Sequence, residues 1–160
     1  MSIDIKTSGP GISGLNKLLK KAKKTDVLVG IPQARASRQT SGEKANNAEL
    51  LFIHTNGSPL RHIPARPVIE PALSEKTTRY SITQQFKLAL QALFDGDQEM
   101  FKTCLSRAGM LGQNAARKWF VNPNNGWAPN SPSTIQAKGS DMPLIDTGEM
   151  RKAITYIVRE

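Results

Sequence analysis

The stretch 98–120, "QEMFKTCLSRAGMLGQNAARKWF", sets the fold class. Phe101, Cys104, Leu105, Ala108, Leu111, Ala115 and Trp119 recur with a period near 3.6, the spacing of one face of an α-helix. At 1.5 Å per residue such a helix runs roughly 35 Å. Just upstream, "DGD" (95–97) supplies a turn and an N-cap. Before that, from Val68 to Leu93, the pattern is again helical through Ile69, Leu73, Tyr80, Phe86, Leu90 and Leu93. The middle of that second run, "SEKTTRYSITQ", is polar and rich in β-branched residues, so the helix there is exposed or kinked.

Further out, the elements shorten. "GLNKLLKKAKK" (14–24) places Leu15, Leu18, Leu19 and Ala22 on one stripe and lysines on the rest. "DVLVGIP" (26–32) reads as a strand closed by Pro32. Residues 33–46 are polar and aperiodic, a mobile loop. "NAELLFIHTNG" (47–57) is a short helix ending at the C-cap pair Asn56-Gly57. Past the long helix, 121–133 is a loop dense in Pro, Asn and Gly. "STIQAK" (133–138) makes about one helical turn, stopped by Gly139. "PLIDTGEMRKA" (143–153) leads into a short helix capped by Asp146 or Thr147. "AITYIVRE" (153–160) alternates Ile154, Tyr156 and Val158 on one face of a terminal strand, and "SIDIKT" (2–7) reads as another short strand. The expected fold is α+β: a small, mostly antiparallel sheet packed with two long helices and several short ones. One domain over 1–160 is expected, with a flexible arm (1–13) and a flexible loop (33–46).

Composition narrows the function. The 160 residues carry a net charge of +9, which favours nucleic acid, an anionic membrane or an acidic protein surface as partner. No run approaches roughly 20 apolar residues, so no membrane span is expected. "MSIDIKTSGP" lacks the apolar core of a signal peptide. The single cysteine, Cys104, allows neither an internal disulfide nor a thiolate zinc site, which fits a reducing compartment.

Catalytic and cofactor motifs are weak. "GPGISG" (9–14) is a literal G-x-G-x-x-G, but the next strand ends in "GIPQAR", without the acidic residue that would hold a ribose. A turn with a helix start explains it better. His54 and His62 have only Glu49 and Glu70 as nearby carboxylates, too few for a metal. Cys104 lies on the apolar stripe and reads as a buried thiol. Asp141, Asp146 and Glu149 could suggest a magnesium nuclease, yet Asp146–Glu149 reads equally well as a helix cap. No cofactor, metal or catalytic residue is therefore assigned. Lys17, Lys20, Lys21, Lys23 and Lys24 either form a solvated face or contact phosphates or an acidic partner. Trp119 reads as core, and Trp127 as the anchor of its loop.

Two segments, taken together, carry a resemblance. "IPARPVIEPAL" (63–73) resembles the proline-arginine-proline segment before the long helix of phage tail-completion, or neck, proteins. "GWAPNSPSTIQAKGSDMPLIDTGEMRKAITYIV" (126–158) resembles the C-terminal signature of the same families and of related virion-morphogenesis proteins. "DVLVGIP", a polar loop and "NAELLFIHTNGSP" fit the first half in order. Val68 departs from the pattern, where a bulky aromatic is common. The resemblance implies a non-enzymatic virion protein of a long-tailed phage, completing the tail or joining head to tail. It would form a ring, expected to be a hexamer, around the DNA channel. Its partners would be further copies of itself, head-side connector or adaptor proteins, the tail terminator or tube, and passing duplex DNA. It would reside in the virion neck, and in host cytoplasm during assembly.

The physics of "RHIPARPVIEPALSE" (61–75) is compatible with this. Pro64 and Pro67 fix φ and push their predecessors towards extended geometry. Residues 63–67 should form a rigid arm with Arg66 held out from it. Arg61 and Arg66 can pair bidentately with a neighbour's carboxylates, and Trp127 joins them as an interface candidate. A rigid arm loses little entropy on docking. The competing reading is a stiff loop that only orients the following helix. The isolated chain is expected to be largely monomeric, joining its ring on a preformed partner.

Overall fold

The computed structural model describes residues 11–38 and 45–159. The fold is α+β. Among the described residues, there are seven α-helices and one two-stranded antiparallel sheet. The helices are α1 (Ile12–Lys24), α2 (Asn47–Asn56), α3 (Ile69–Ser74), α4 (Lys76–Phe94), α5 (Gln98–Trp119), α6 (Pro132–Lys138) and α7 (Glu149–Ala153); the strands are β1 (Asp26–Gly30) and β2 (Thr155–Arg159). The strand expected over 2–7 lies outside the described residues, as do most of the arm 1–13 and positions 39–44 of the loop 33–46. The described start of that loop is ordered by specific contacts. Gln33–Arg35 form a 3-10 turn, Ala36 is buried, and the Ala36 carbonyl accepts from Asn47 N at 2.8 Å.

α5 is the axis, as its periodicity requires. Its first half joins one apolar cluster, in which Phe101, Cys104 and Leu105 pack with Ala89, Ala92 and Leu93 of α4, and with Leu18 and Ala22 of α1. Its far end joins a second cluster, in which Ala116 and Phe120 meet Leu51, Val68, Ala72, Met150 and Ile154. Cys104 is a buried free thiol, as its place on the stripe implied.

The buried seam departs from the expected stripe. It runs Phe101, Cys104, Leu105, Ala108, Gly109, Gly112, Ala116, while Leu111 turns partly to solvent. Two glycines carry the seam because the sheet lies directly on the helix there. A Cβ at Gly109 would stand 2.2 Å from Tyr156 Cδ2, and one at Gly112 would stand 2.9 Å from Val29 Cγ2. Val29 and Tyr156 are cross-strand partners, so one register position seats both on α5.

The helix expected from Val68 to Leu93 is two helices. Glu75 adopts an extended ψ of 132° and breaks it. Its carboxylate then caps α4, accepting from Thr78 N at 3.1 Å and from the Thr77 and Thr78 hydroxyls at 2.5 and 2.9 Å. These bonds pull the Glu75 pKa down from 4.5 to about 2. On α4 the buried face is Ala89, Ala92 and Leu93, whereas Tyr80, Leu88 and Leu90 are exposed.

Other helix signals match the structure. Asn46 and Glu49 form a reciprocal capping box on α2. Gly57 ends that helix at φ 71°, with Ala65 N only 2.8 Å from where a Cβ would sit. Asp97 caps α5, and Gly139 stops α6. α7 differs: its N-cap is Gly148, at φ 77°, and neither Asp146 nor Thr147 takes that place. The Thr147 hydroxyl still accepts from Glu149 N, at 3.4 Å.

Candidate functional site

The proline-rich segment and the tryptophan loop, some sixty residues apart, are stitched together. Arg66 Nε donates to the Ala128 carbonyl at 3.0 Å, and Arg66 Nη2 donates to the Ala128 and Pro129 carbonyls at 2.8 and 2.9 Å. In return, Trp127 Nε1 donates to the Pro67 carbonyl at 3.0 Å. Trp127 also meets Phe120 edge-on, with centroids 5.9 Å apart, so it anchors its loop as expected.

This corrects the expectation for Arg66. Its side chain is not held out. It is folded inward at 7% exposure, because three backbone-carbonyl bonds are available across the loop. Burial lowers its pKa, but an arginine keeps its charge. Fixing the arm to its own chain consumes Nε and Nη2, the nitrogens a bidentate contact to a neighbour would use.

Arg61, by contrast, is exposed on a small projecting loop. Ser58 and Ile63 pair as an isolated bridge, with bonds of 2.8 and 3.0 Å, and close the loop around a 3-10 turn at Pro59–Arg61. Its tip is Leu60, 96% exposed, an apolar side chain presented beside a cation. The sequence reading passed over Leu60. The signal was the proline at 59 with Gly57 before it, which marks a turn whose tip residue has nothing to pack on.

A groove of about 1340 Å³ lies between this loop, α2, α6 and the segment entering α7. Arg61, Pro64 and Arg66 line it, together with Arg38, His54 and Lys138. Its apolar surface comes from Leu50, Ile63, Leu144 and Met150. Asp146 and Glu149 line it too, both from the segment that enters α7. Pro67 and Trp127 stand behind the wall, as the stitch described above. The fold therefore gathers three of the five interface candidates on one groove.

His54 sits in the last turn of α2 and is partly buried. Burial lowers its pKa, and the charges of Arg66 and Lys138 lower it further. Its Nδ1 is buried without a hydrogen-bond partner. The position suits a neutral imidazole beside fixed cations, not a proton carrier.

The lysine helix lies elsewhere, over the start of α5. Lys17, Lys20, Lys23 and Lys24 are exposed. Lys21 turns inward: its ammonium stands 5.3 Å from the Phe101 ring centroid and donates to Gln98. Asp141 is exposed, and its backbone carbonyl accepts from Asn130 Nδ2 at 3.0 Å. Among the described residues, no three His, Cys, Asp or Glu side chains gather as a metal site, and no helix is long and apolar enough to cross a membrane.

No family model, no curated protein and no solved structure matches the chain.

Proposed function

We propose that this chain is a structural virion protein of a long-tailed phage. It completes the tail or joins head to tail, as a ring around the DNA channel, without catalysis. In that role its partners are its own copies, head-side connector proteins and the tail terminator or tube, and it sits in the virion neck.

One observation carries the reading. The two segments that bear the resemblance, 63–73 and 126–158, are separate in sequence yet form one unit. Arg66 reaches into one and Trp127 into the other, and both segments wall the same groove. That groove is open and basic, with Arg38, Arg61, Arg66 and Lys138 against Asp146 and Glu149, a lining that favours an acidic partner surface. The reading is tested by tagging the chain and locating the tag on purified particles by electron microscopy. Label at the head–tail junction supports it; label confined to capsid faces, or absent from particles, refutes it.

The exposure of Lys17, Lys20, Lys23 and Lys24 favours a second reading, a small DNA-binding protein. Replacing those four with Gln separates the two. Loss of tight, salt-dependent duplex binding with the change supports the second reading. Particle assembly that survives it supports the first.

A further inference from the structure

The chain holds two Asn-Gly pairs, Asn56-Gly57 and Asn125-Gly126. Asparagine is a thermolabile residue, and a following glycine has no Cβ to shield its own nitrogen. In deamidation that backbone nitrogen attacks the asparagine Cγ, ammonia leaves, and a cyclic succinimide forms. Water then opens the ring at either carbonyl and leaves aspartate or isoaspartate. The balance is water in and ammonia out, with no change of oxidation state.

The structure separates the two pairs. Gly57 N donates to the Ile53 carbonyl at 2.7 Å, and Asn56 Nδ2 donates to the Phe52 carbonyl at 2.9 Å. The last turn of α2 thus occupies both the nucleophile and the leaving group. Ala65 N lies only 2.8 Å from the place of a Cβ at Gly57, so the backbone there has no room to swing into a ring. Gly126 is the reverse case. It is exposed, the space where its Cβ would stand is open, and among the described residues its N–H meets no acceptor. Asn125 Oδ1 accepts from Trp127 N at 3.1 Å, which draws electron density from Cγ, the atom under attack. Its Nδ2 donates only across 3.4 Å, to the Trp119 carbonyl.

We infer that Asn125 is a site of spontaneous deamidation in the folded chain, with water as the co-reactant, and that Asn56 is protected. Both products act on the stitch. Aspartate at 125 loses the donor to Trp119 and sets a negative charge at the C-terminal end of α5, the negative end of its dipole. Isoaspartate routes the main chain through the side chain and lengthens it just before Trp127, whose indole holds the Pro67 carbonyl. The join between the two segments therefore weakens as the protein ages. This chemistry is independent of the proposed virion role.

Ageing the full chain at mildly alkaline pH, native and in urea, tests this by peptide mapping with mass spectrometry. In urea the two pairs should convert at similar rates. In the native chain Asn125 should convert faster than Asn56 by about tenfold or more, the factor for opening a hydrogen bond first. Asn125→Gln keeps the amide but closes a ring far more slowly, so conversion at that position should all but stop. Aged wild type should unfold at a lower urea midpoint than fresh protein, and aged Asn125→Gln should not shift. Equal native rates, or a faster Asn56, overturn the inference. So does an Asn125 that stays intact in the native chain while it converts in urea. These rates come from the wild type alone, so they decide the matter even if the variant fails to fold. An aged wild type with an unchanged midpoint overturns the weakening of the stitch.

Discussion

Arg66 and Trp127 fasten the same two segments in opposite directions: the arginine donates to the Ala128 carbonyl, and the indole donates to the Pro67 carbonyl. The consequence is a change of role for the arginine. A side chain that satisfies three carbonyl contacts inside its own chain is a fold element first.

Arg66→Ala should therefore destabilise the isolated chain by about 3 kcal/mol, since bonds to a charged group are lost and buried carbonyls are stranded. Arg61→Ala, at an exposed position, should stay within about 0.5 kcal/mol of wild type. Urea unfolding measures both. Equal effects would mean that the stitch contributes nothing special.

Gly109→Ala should cost about 1–3 kcal/mol despite the better helix propensity of alanine, because its Cβ meets the Tyr156 ring. Trimming that ring, as in Gly109→Ala with Tyr156→Val, should recover part of the loss relative to the sum of the single changes. Strict additivity would contradict direct seating of β2 on α5.

These two sites show what the sequence could tell. The periodicity of Phe101, Cys104, Leu105 and Ala108 gave α5 and its first cluster. Beyond Ala108 the same rule chose Leu111 over Gly112, because a glycine carries no apolar signal; only the sheet above explains why a glycine is there. The break at Glu75 was hidden for a related reason. A carboxylate that caps the next helix looks, in sequence, like one more polar residue on a helical face. The arm at 63–67 was legible from its prolines, but the direction of Arg66 was not, since the carbonyls that capture it lie some sixty residues away.

Glu75 should tie stability to acid pH. Its folded pKa, about 2, lies below the ordinary 4.5, so the folded state holds fewer protons. The contribution is complete above pH about 4.5 and is lost as pH falls towards 2. Glu75→Gln should lower the melting temperature at neutral pH and flatten this acid dependence. An unchanged acid limb would count against the cap.

His54 acts in a higher window with a shift in the same direction. Its folded pKa is below 6.5, so the folded state favours the neutral ring and the unfolded chain takes up the proton first. Stability is retained above 6.5 and falls as pH drops below it. His54→Gln should remove that slope in a pH series of urea midpoints, and a slope that persists would assign it to another group.

Mass measurement of the purified chain at low micromolar concentration should give mainly monomer, since the proposed ring forms on a preformed partner. A stable closed ring there would contradict assembly on a preformed partner.

The proposed role is that this chain completes the tail or joins head to tail in a virion. Electron microscopy of particles assembled without it tests that claim most directly. Full heads beside unattached tails are the predicted result; normally joined particles would contradict it.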